Sequence, residues 1–159
     1  MFSTADLSDF HAESINCANP IFKSFGTKNS FAGRIVTIKL FEDNSLLRKQ
    51  LEEYGKGQVL VVDGGGSLRC ALLGDQLAAL AIKNHWNGIV INGCIRDSAQ
   101  INAMPIGVRA LNTSPIKSIK RNIGEVNVPV KFAGVIFVPH HYVYVDTDGI
   151  LISDIDLLK

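Results

Sequence analysis

Val59-Leu60-Val61-Val62-Asp63-Gly64-Gly65-Gly66, then Gly74-Asp75-Gln76-Leu77, then Gly88-Ile89-Val90-Ile91-Asn92-Gly93-Cys94-Ile95-Arg96-Asp97: these segments set the architecture of the chain. The two uninterrupted apolar runs read as strands buried on both faces, and Asp75 to His85 between them reads as an amphipathic helix. A strand, a glycine turn, a helix and a second strand make a βαβ unit. A helix over 75–85 advances roughly 16 Å at about 1.5 Å per residue. The strand from Gly88 to Asn92 returns a similar distance at about 3.3 Å per residue. The helix N-terminus at Gly74, Asp75 and Gln76 is therefore expected beside Arg96 and Asp97, with the Gly64-Gly65-Gly66 turn at the same edge. Open parallel sheets bind ligands beyond the carboxyl ends of their strands, where the unpaired N–H groups of helix N-termini face anions.

Working toward the N-terminus, Ser3 can cap a helix that presents Leu7 and Phe10 on one side and stops before Pro20. Arg34 to Leu40 alternates as a strand. Asn44 or Ser45 then caps a helix through Leu46, Leu47, Leu51 and Tyr54, which Gly55 can end in a left-handed conformation. Toward the C-terminus, Ser98 can cap a short helical turn that Pro105 ends, and Ile106 to Leu111 is a short strand. Thr113 to Gly124 is a loop or weak helix. Val126 to Phe132, Val135 to Val138, Tyr142 to Val145 and Ile150 to Ser153 read as strands, with Asp148-Gly149 as a hairpin turn. The fold class expected is α/β: a single layered domain over 1–159 with a central βαβ unit and a strand-rich C-terminal half.

The length of 159 residues suits one domain with a real core, and 47% hydrophobic against 19% charged residues marks a globular chain. A formal charge of +1 offers no general attraction to nucleic acid or to an anionic membrane. The three cysteines, Cys17, Cys70 and Cys94, have no C-x-x-C spacing, and residues 1–10 lack the features of a signal segment. The cytoplasm is the expected location. No apolar run approaches a membrane-spanning length.

Arg96-Asp97 is the most informative pair. As a plain surface turn, Asp97 caps the following helix and Arg96 is solvated. At a strand end facing a helix N-terminus, however, the carboxylate can hold a hydrated divalent cation while the guanidinium grips a carboxylate in a fork. Asp75 fits a first-turn acid as readily as a site residue. The glycine turn lacks nucleotide-binding spacing. His140-His141 reads as loop, because neighbouring side chains on extended backbone point apart. Asp146-Thr147-Asp148-Gly149 lacks the remaining ligands of a calcium loop. Lys117, Lys120 and Arg121 read as a solvated face.

The run Val59 to Arg69, with Gly74-Asp75, Gly88 to Gly93 and Arg96-Asp97, resembles the family that contains the regulators of ribonuclease E activity (protein A) and the class II 4-hydroxy-4-methyl-2-oxoglutarate aldolases. The similarity extends from Asp6 through Phe31-Ala32-Gly33-Arg34 and Phe41-Glu42-Asp43-Asn44 to the C-terminus. It implies a layered β/β/α domain in a ring-shaped homotrimer with sites at subunit boundaries. The aldolase motif is an Asp, twenty residues, then Arg-Asp, matched here by Asp75 and Arg96-Asp97. By that match Gly74, Asp75, Gln76 and Leu77 line the substrate site, Arg96 holds a carboxylate or enolate oxygen, and Asp97 anchors Mg2+ or Mn2+. The regulators most similar to this chain lack the aspartate after the arginine.

Three departures from the aldolase pattern are expected to matter: Gln100 stands where an acid is common, the C-terminal segment by which longer enzymes reach a neighbouring site has no counterpart up to Lys159, and Pro139-His140-His141 replaces a Pro-Gly-Asp. The resemblance implies cleavage of 4-hydroxy-4-methyl-2-oxoglutarate to two pyruvates, with oxaloacetate decarboxylation as a second activity. The alternative is a protein that binds ribonuclease E and inhibits RNA processing without direct nucleic-acid contact.

Overall fold

A computed structural model describes residues 1–159. The chain runs through α1 (Thr4–Phe10), β1 (Asn16–Cys17), β2 (Lys23–Phe25), the long strand β3 (Phe31–Lys39) and α2 (Ser45–Glu52). The central segment is β4 (Val59–Asp63), β5 (Ala71–Leu73), α3 (Asp75–Lys83) and β6 (Gly88–Ile95). After α4 (Ser98–Asn102) come β7 (Val108–Thr113), β8 (Glu125–Val126), β9 (Val130–Phe132), β10 (Val135–Phe137), β11 (Tyr142–Val145) and β12 (Ile150–Ser153). No helix is long and apolar enough to cross a membrane.

One mixed sheet has the order β1-β12-β11-β3-β4-β6-β7-β2, and β9 with β10 forms a separate hairpin. Strands β3, β4, β6 and β7 are mutually parallel, whereas the flanking pairs are antiparallel. The apolar runs of β4 and β6 are explained by burial on both faces. On β4, Leu60 and Val62 join Leu47, Leu51, Leu77, Ala78 and Ala81 from α2 and α3 in one core. Val59 and Val61 point the other way, into a second core with Phe132, Phe137, Val143 and Ile152. Helices, parallel sheet and late strands thus form three layers, and burying each such Val or Leu contributes about 1.5–3 kcal/mol. This is the layered β/β/α arrangement expected.

Local differences have local causes. The glycine turn does not lead straight into α3: the chain first forms β5. Strand β6 continues past the end of β4, where Asp63 pairs with Asn92, and β5 takes up the exposed ladder at Cys94 and Ile95. A strand of three residues is too short to show periodicity. Phe10 of α1 is exposed and only Leu7 of the expected pair is buried. Helix α2 stops at Glu52, Tyr54 is exposed, and Gly55 is not left-handed; Lys56 and Gly57 take positive φ instead. Gly55 is required for another reason, since a Cβ there would lie 2.7 Å from the Trp86 ring. The expected strand Val126 to Phe132 is broken at Asn127, with φ 57°, so that β8 pairs with β3 while β9 turns away to β10. Residues 114–124 form no helix.

Candidate active site

The site arises where β5 and β6 end in register. Leu73 pairs with Ile95, and the Arg96 N–H donates to the Leu73 carbonyl at 2.9 Å. Both chains leave the sheet together, Gly74 into α3 and Arg96-Asp97 into α4. Asp97 adopts a left-handed conformation (φ 56°, ψ 41°), which Asp tolerates better than most residues. Its carbonyl accepts the Ile101 N–H at 2.9 Å and so begins α4. Ser98, expected as the cap, is instead the first helical residue.

The carboxylate of Asp97 does not cap α4, the role of a plain surface turn. It reaches across to α3, where Oδ2 accepts the Asp75 backbone N–H at 3.1 Å. Gly74 makes this possible: its φ of −121° is open to any residue, but a Cβ would stand 2.8 Å from Asp97 Oδ2. Oδ1 of Asp97 has no hydrogen-bond partner, nor have the Gln76 and Leu77 amides at the start of α3. Arg96 is exposed and makes no ion pair. Free amides, a free guanidinium and a half-free carboxylate therefore converge on one cavity of about 290 Å³.

That cavity includes Gly74, Asp75, Gln76, Leu77, Arg96 and Asp97, the residues singled out from the sequence. It does not include the glycine turn. The Gly64 and Gly66 amides donate to the Asn92 carbonyl, both at 3.1 Å, and Gly65 lies against the Phe41 ring, so the turn is anchored outside this cavity.

The opposite wall was not legible in the sequence. It comprises Asn44 and Arg48 of the α2 segment, with Lys117, Ser118 and Lys120 from the loop before β8. Lys117 and Lys120 thus face a cavity rather than open solvent alone. A chain of hydrogen bonds puts them there. The Ala71 N–H donates to the Ile116 carbonyl at 2.7 Å, and the Asn44 N–H to Ser118 Oγ at 3.2 Å. Asn44 Nδ2 donates to the Leu72 carbonyl at 3.0 Å, while Lys120 Nζ donates to Asn44 Oδ1 at 3.3 Å.

Buried Asp43 clamps the same loop. Its Oδ1 accepts from Ser45, and its Oδ2 accepts the Arg121 and Ile123 amides at 2.8 and 3.2 Å. Burial pushes the Asp43 carboxyl up, but the hydrogen bonds from Ser45 and the two loop amides outweigh it and hold the group at about 2.

No group of three or more His, Cys, Asp or Glu side chains is placed to enclose a metal ion. The donor set is a single carboxylate with one oxygen unengaged, which fits Mg2+ or Mn2+ retaining several waters and does not fit a closed structural site. Cys70 and Cys94 are buried, and burial pushes both thiols up, away from thiolate chemistry. His140 sits in a left-handed turn (φ 72°), as a loop residue.

The family model described as RraA-like, Aldolase/RraA, matches residues 4–152. The chain belongs to the RraA-like family. Among relatives of this RraA-like chain, a protein of Aromatoleum aromaticum provisionally named 4-hydroxy-4-methyl-2-oxoglutarate aldolase is 53% identical, with 99% of each chain covered. One from Dechloromonas aromatica with the same provisional name is 56% identical, with 96% of each chain covered. Two solved structures are each 48% identical to it. The RNA-processing inhibitor RraA from Thermus thermophilis matches with a TM-score of 0.94 over 97% of this chain and 93% of that one. A protein of Geobacillus kaustophilus described as an S-adenosylmethionine:2-dimethylmenaquinone methyltransferase matches with a TM-score of 0.97 over 99% and 98%.

Proposed function

We propose that this RraA-like chain is a lyase that cleaves 4-hydroxy-4-methyl-2-oxoglutarate into two pyruvates with the aid of Mg2+ or Mn2+, and that it also decarboxylates oxaloacetate. The observation that carries this reading is the Asp97 carboxylate, tied by one oxygen to α3 and open at the other, next to an unpaired guanidinium. The provisional aldolase names of relatives above 50% identity agree with it.

Each residue then has a task. The Gln76 and Leu77 amides, aided by the positive end of α3, receive the carboxylate of the 2-oxo acid end. Asp97 would hold the cation, which when bound would polarise the 2-oxo group as a Lewis acid. Arg96 donates to the oxygen on which negative charge grows. A water in the cavity takes the proton of the 4-hydroxyl, the bond between C3 and C4 breaks, and its electron pair passes into the enolate of pyruvate. Protonation at C3 completes the first pyruvate, and the carbonyl formed at C4 belongs to the second.

The assay is pyruvate release from purified protein with Mg2+. Two pyruvates per substrate consumed support the reading, and no release from either substrate rejects it.

The 48% identity to the RNA-processing inhibitor RraA favours a second reading, in which the chain binds ribonuclease E and restrains RNA processing. The net charge of +1 suits a protein partner better than RNA. Absence of binding to the host enzyme at micromolar concentration would remove it. A methyltransferase role has less support, because the cavity presents Arg48, Arg96, Lys117 and Lys120 rather than an apolar bed for a lipid-soluble quinone.

We further infer a cytoplasmic homotrimer with the cavity near a subunit boundary. Phe41, Ile116, Ile119, Ile123 and Val126, on the segments around the loop bearing Lys117 and Lys120, are all exposed, and a neighbouring copy would cover them.

A further inference from the structure

The cavity has two chemically distinct walls. One carries the α3 amides with Arg96 and Asp97. The other carries Arg48, Lys117 and Lys120, none of which makes an ion pair. Counting side chains, the lining holds four cations, Arg48, Arg96, Lys117 and Lys120, against two carboxylates, Asp75 and Asp97. Four cations against two carboxylates leave the lining with a surplus of positive charge, and neither Asp75 nor Asp97 is ion-paired to Arg48, Lys117 or Lys120. The far wall is also held in place. Lys120 is braced by Asn44, and the loop bearing Lys117 and Lys120 is fastened to β5 at Ala71 and to Asp43. One 2-oxo acid carboxylate on the α3 amides leaves this cationic wall without an anion.

We propose that Lys117, Lys120 and Arg48 form a specificity wall that binds the distal carboxylate of a 2-oxo dicarboxylate, and that this wall favours aldol cleavage over decarboxylation. The proposal rests on the lyase reading and extends it.

Charge bookkeeping gives the second half. In cleavage of 4-hydroxy-4-methyl-2-oxoglutarate the C5 carboxylate keeps its charge from substrate to product, so a cation beside it stabilises every stage alike. In oxaloacetate decarboxylation the C3–C4 bond breaks, its electrons enter the enolate, and the C4 carboxylate departs as neutral CO2. A cation beside that carboxylate stabilises the ground state and is lost in the transition state. The wall therefore aids binding for cleavage and holds back the decarboxylation step.

Two measurements separate this proposal from the reading beneath it. Calorimetry with Mg2+ compares 2-oxoglutarate, which has a distal carboxylate and no 4-hydroxyl to react, with 2-oxopentanoate, which lacks that carboxylate. The wild type is expected to bind 2-oxoglutarate about tenfold more tightly, and a Lys117→Met, Lys120→Met variant with an unchanged unfolding temperature is expected to lose the preference. In turnover, the same variant is expected to raise the ratio of decarboxylation to cleavage kcat by about tenfold, and Arg48→Met to move it in the same direction.

Equal binding of the two acids by the wild type, or a preference that survives in the variant, overturns the specificity wall whether or not the protein turns over. A turnover ratio that stays fixed overturns the charge argument. A wild type that shows the binding preference but releases no pyruvate rejects the lyase reading and leaves distal-carboxylate recognition standing.

Discussion

Asp97 Oδ2 accepts the backbone N–H of Asp75 at 3.1 Å, linking two residues that lie 22 positions apart in sequence. The contact ties the strand end after β6 to the N-terminus of α3. The free oxygen of Asp97, the neighbouring Arg96 and the unpartnered Gln76 and Leu77 amides share one cavity.

Gly74 should be intolerant of any side chain for the sake of this contact. A Cβ would stand 2.8 Å from Asp97 Oδ2, while the backbone conformation itself suits alanine. Gly74→Ala is expected to fold, with a loss of about 1 kcal/mol as the α3 cap is disturbed, and to lower kcat/KM at least about tenfold through displacement of Asp97. Denaturant unfolding beside steady-state kinetics checks both; an unaffected kcat/KM would show that the Asp97 position does not matter.

Arg96 is exposed and unpaired, so its replacement should cost activity without costing stability. Arg96→Ala is expected to lower kcat by about 10²–10³, the scale of losing one oxyanion donor. Arg96→Lys keeps the charge but loses the fork and should recover only a small part. Unfolding temperatures of both variants should match the wild type.

Asp43 gives the loop wall its dependence on pH. Its folded value near 2 lies below the ordinary 3.8, because the Ser45, Arg121 and Ile123 hydrogen bonds favour the charged form. The contribution to stability is therefore full above about pH 4 and is lost as the pH falls toward about 2. Asp43→Asn should flatten the acid limb of the stability profile, which unfolding curves between pH 2 and 6 would reveal. Substrate binding in this variant should weaken at neutral pH, as Lys117 and Lys120 lose their anchorage.

The exposed side chains of Phe41, Ile116, Ile119, Ile123 and Val126 should be covered in solution. Light scattering is expected to give three times the chain mass, and Ile119→Asp to shift the species toward monomer with reduced activity. A monomeric wild type would leave these side chains as a plain exposed patch and would contradict the trimer.

The near wall of the site was readable because it follows from periodicity. Two buried runs and the helix between them bring Asp75 to the edge where Asp97 lies, and the short strand β5 then fixes the register of the meeting. Strand β5 escaped that reading because three residues carry no period, and it exists only where β6 outruns β4. The far wall escaped for a related reason. Asn44, Arg48, Lys117 and Lys120 are brought together by hydrogen bonds between distant loops, through Asn44, Ser118 and Asp43, and no spacing in the chain encodes that meeting. Gly64-Gly65-Gly66, expected at the same edge as the site, folds onto Asn92 and Phe41 and does not line the cavity.

The central claim is that the open oxygen of Asp97 serves a divalent cation in carbon–carbon bond cleavage. Its most direct test is pyruvate release from 4-hydroxy-4-methyl-2-oxoglutarate by wild type and by folded Asp97→Ala, each with Mg2+ and with chelator. The account predicts release by the wild type with Mg2+ alone, falling at least about 100-fold with chelator or with the substitution. Release at the wild-type rate by Asp97→Ala, or release indifferent to chelator, would contradict it.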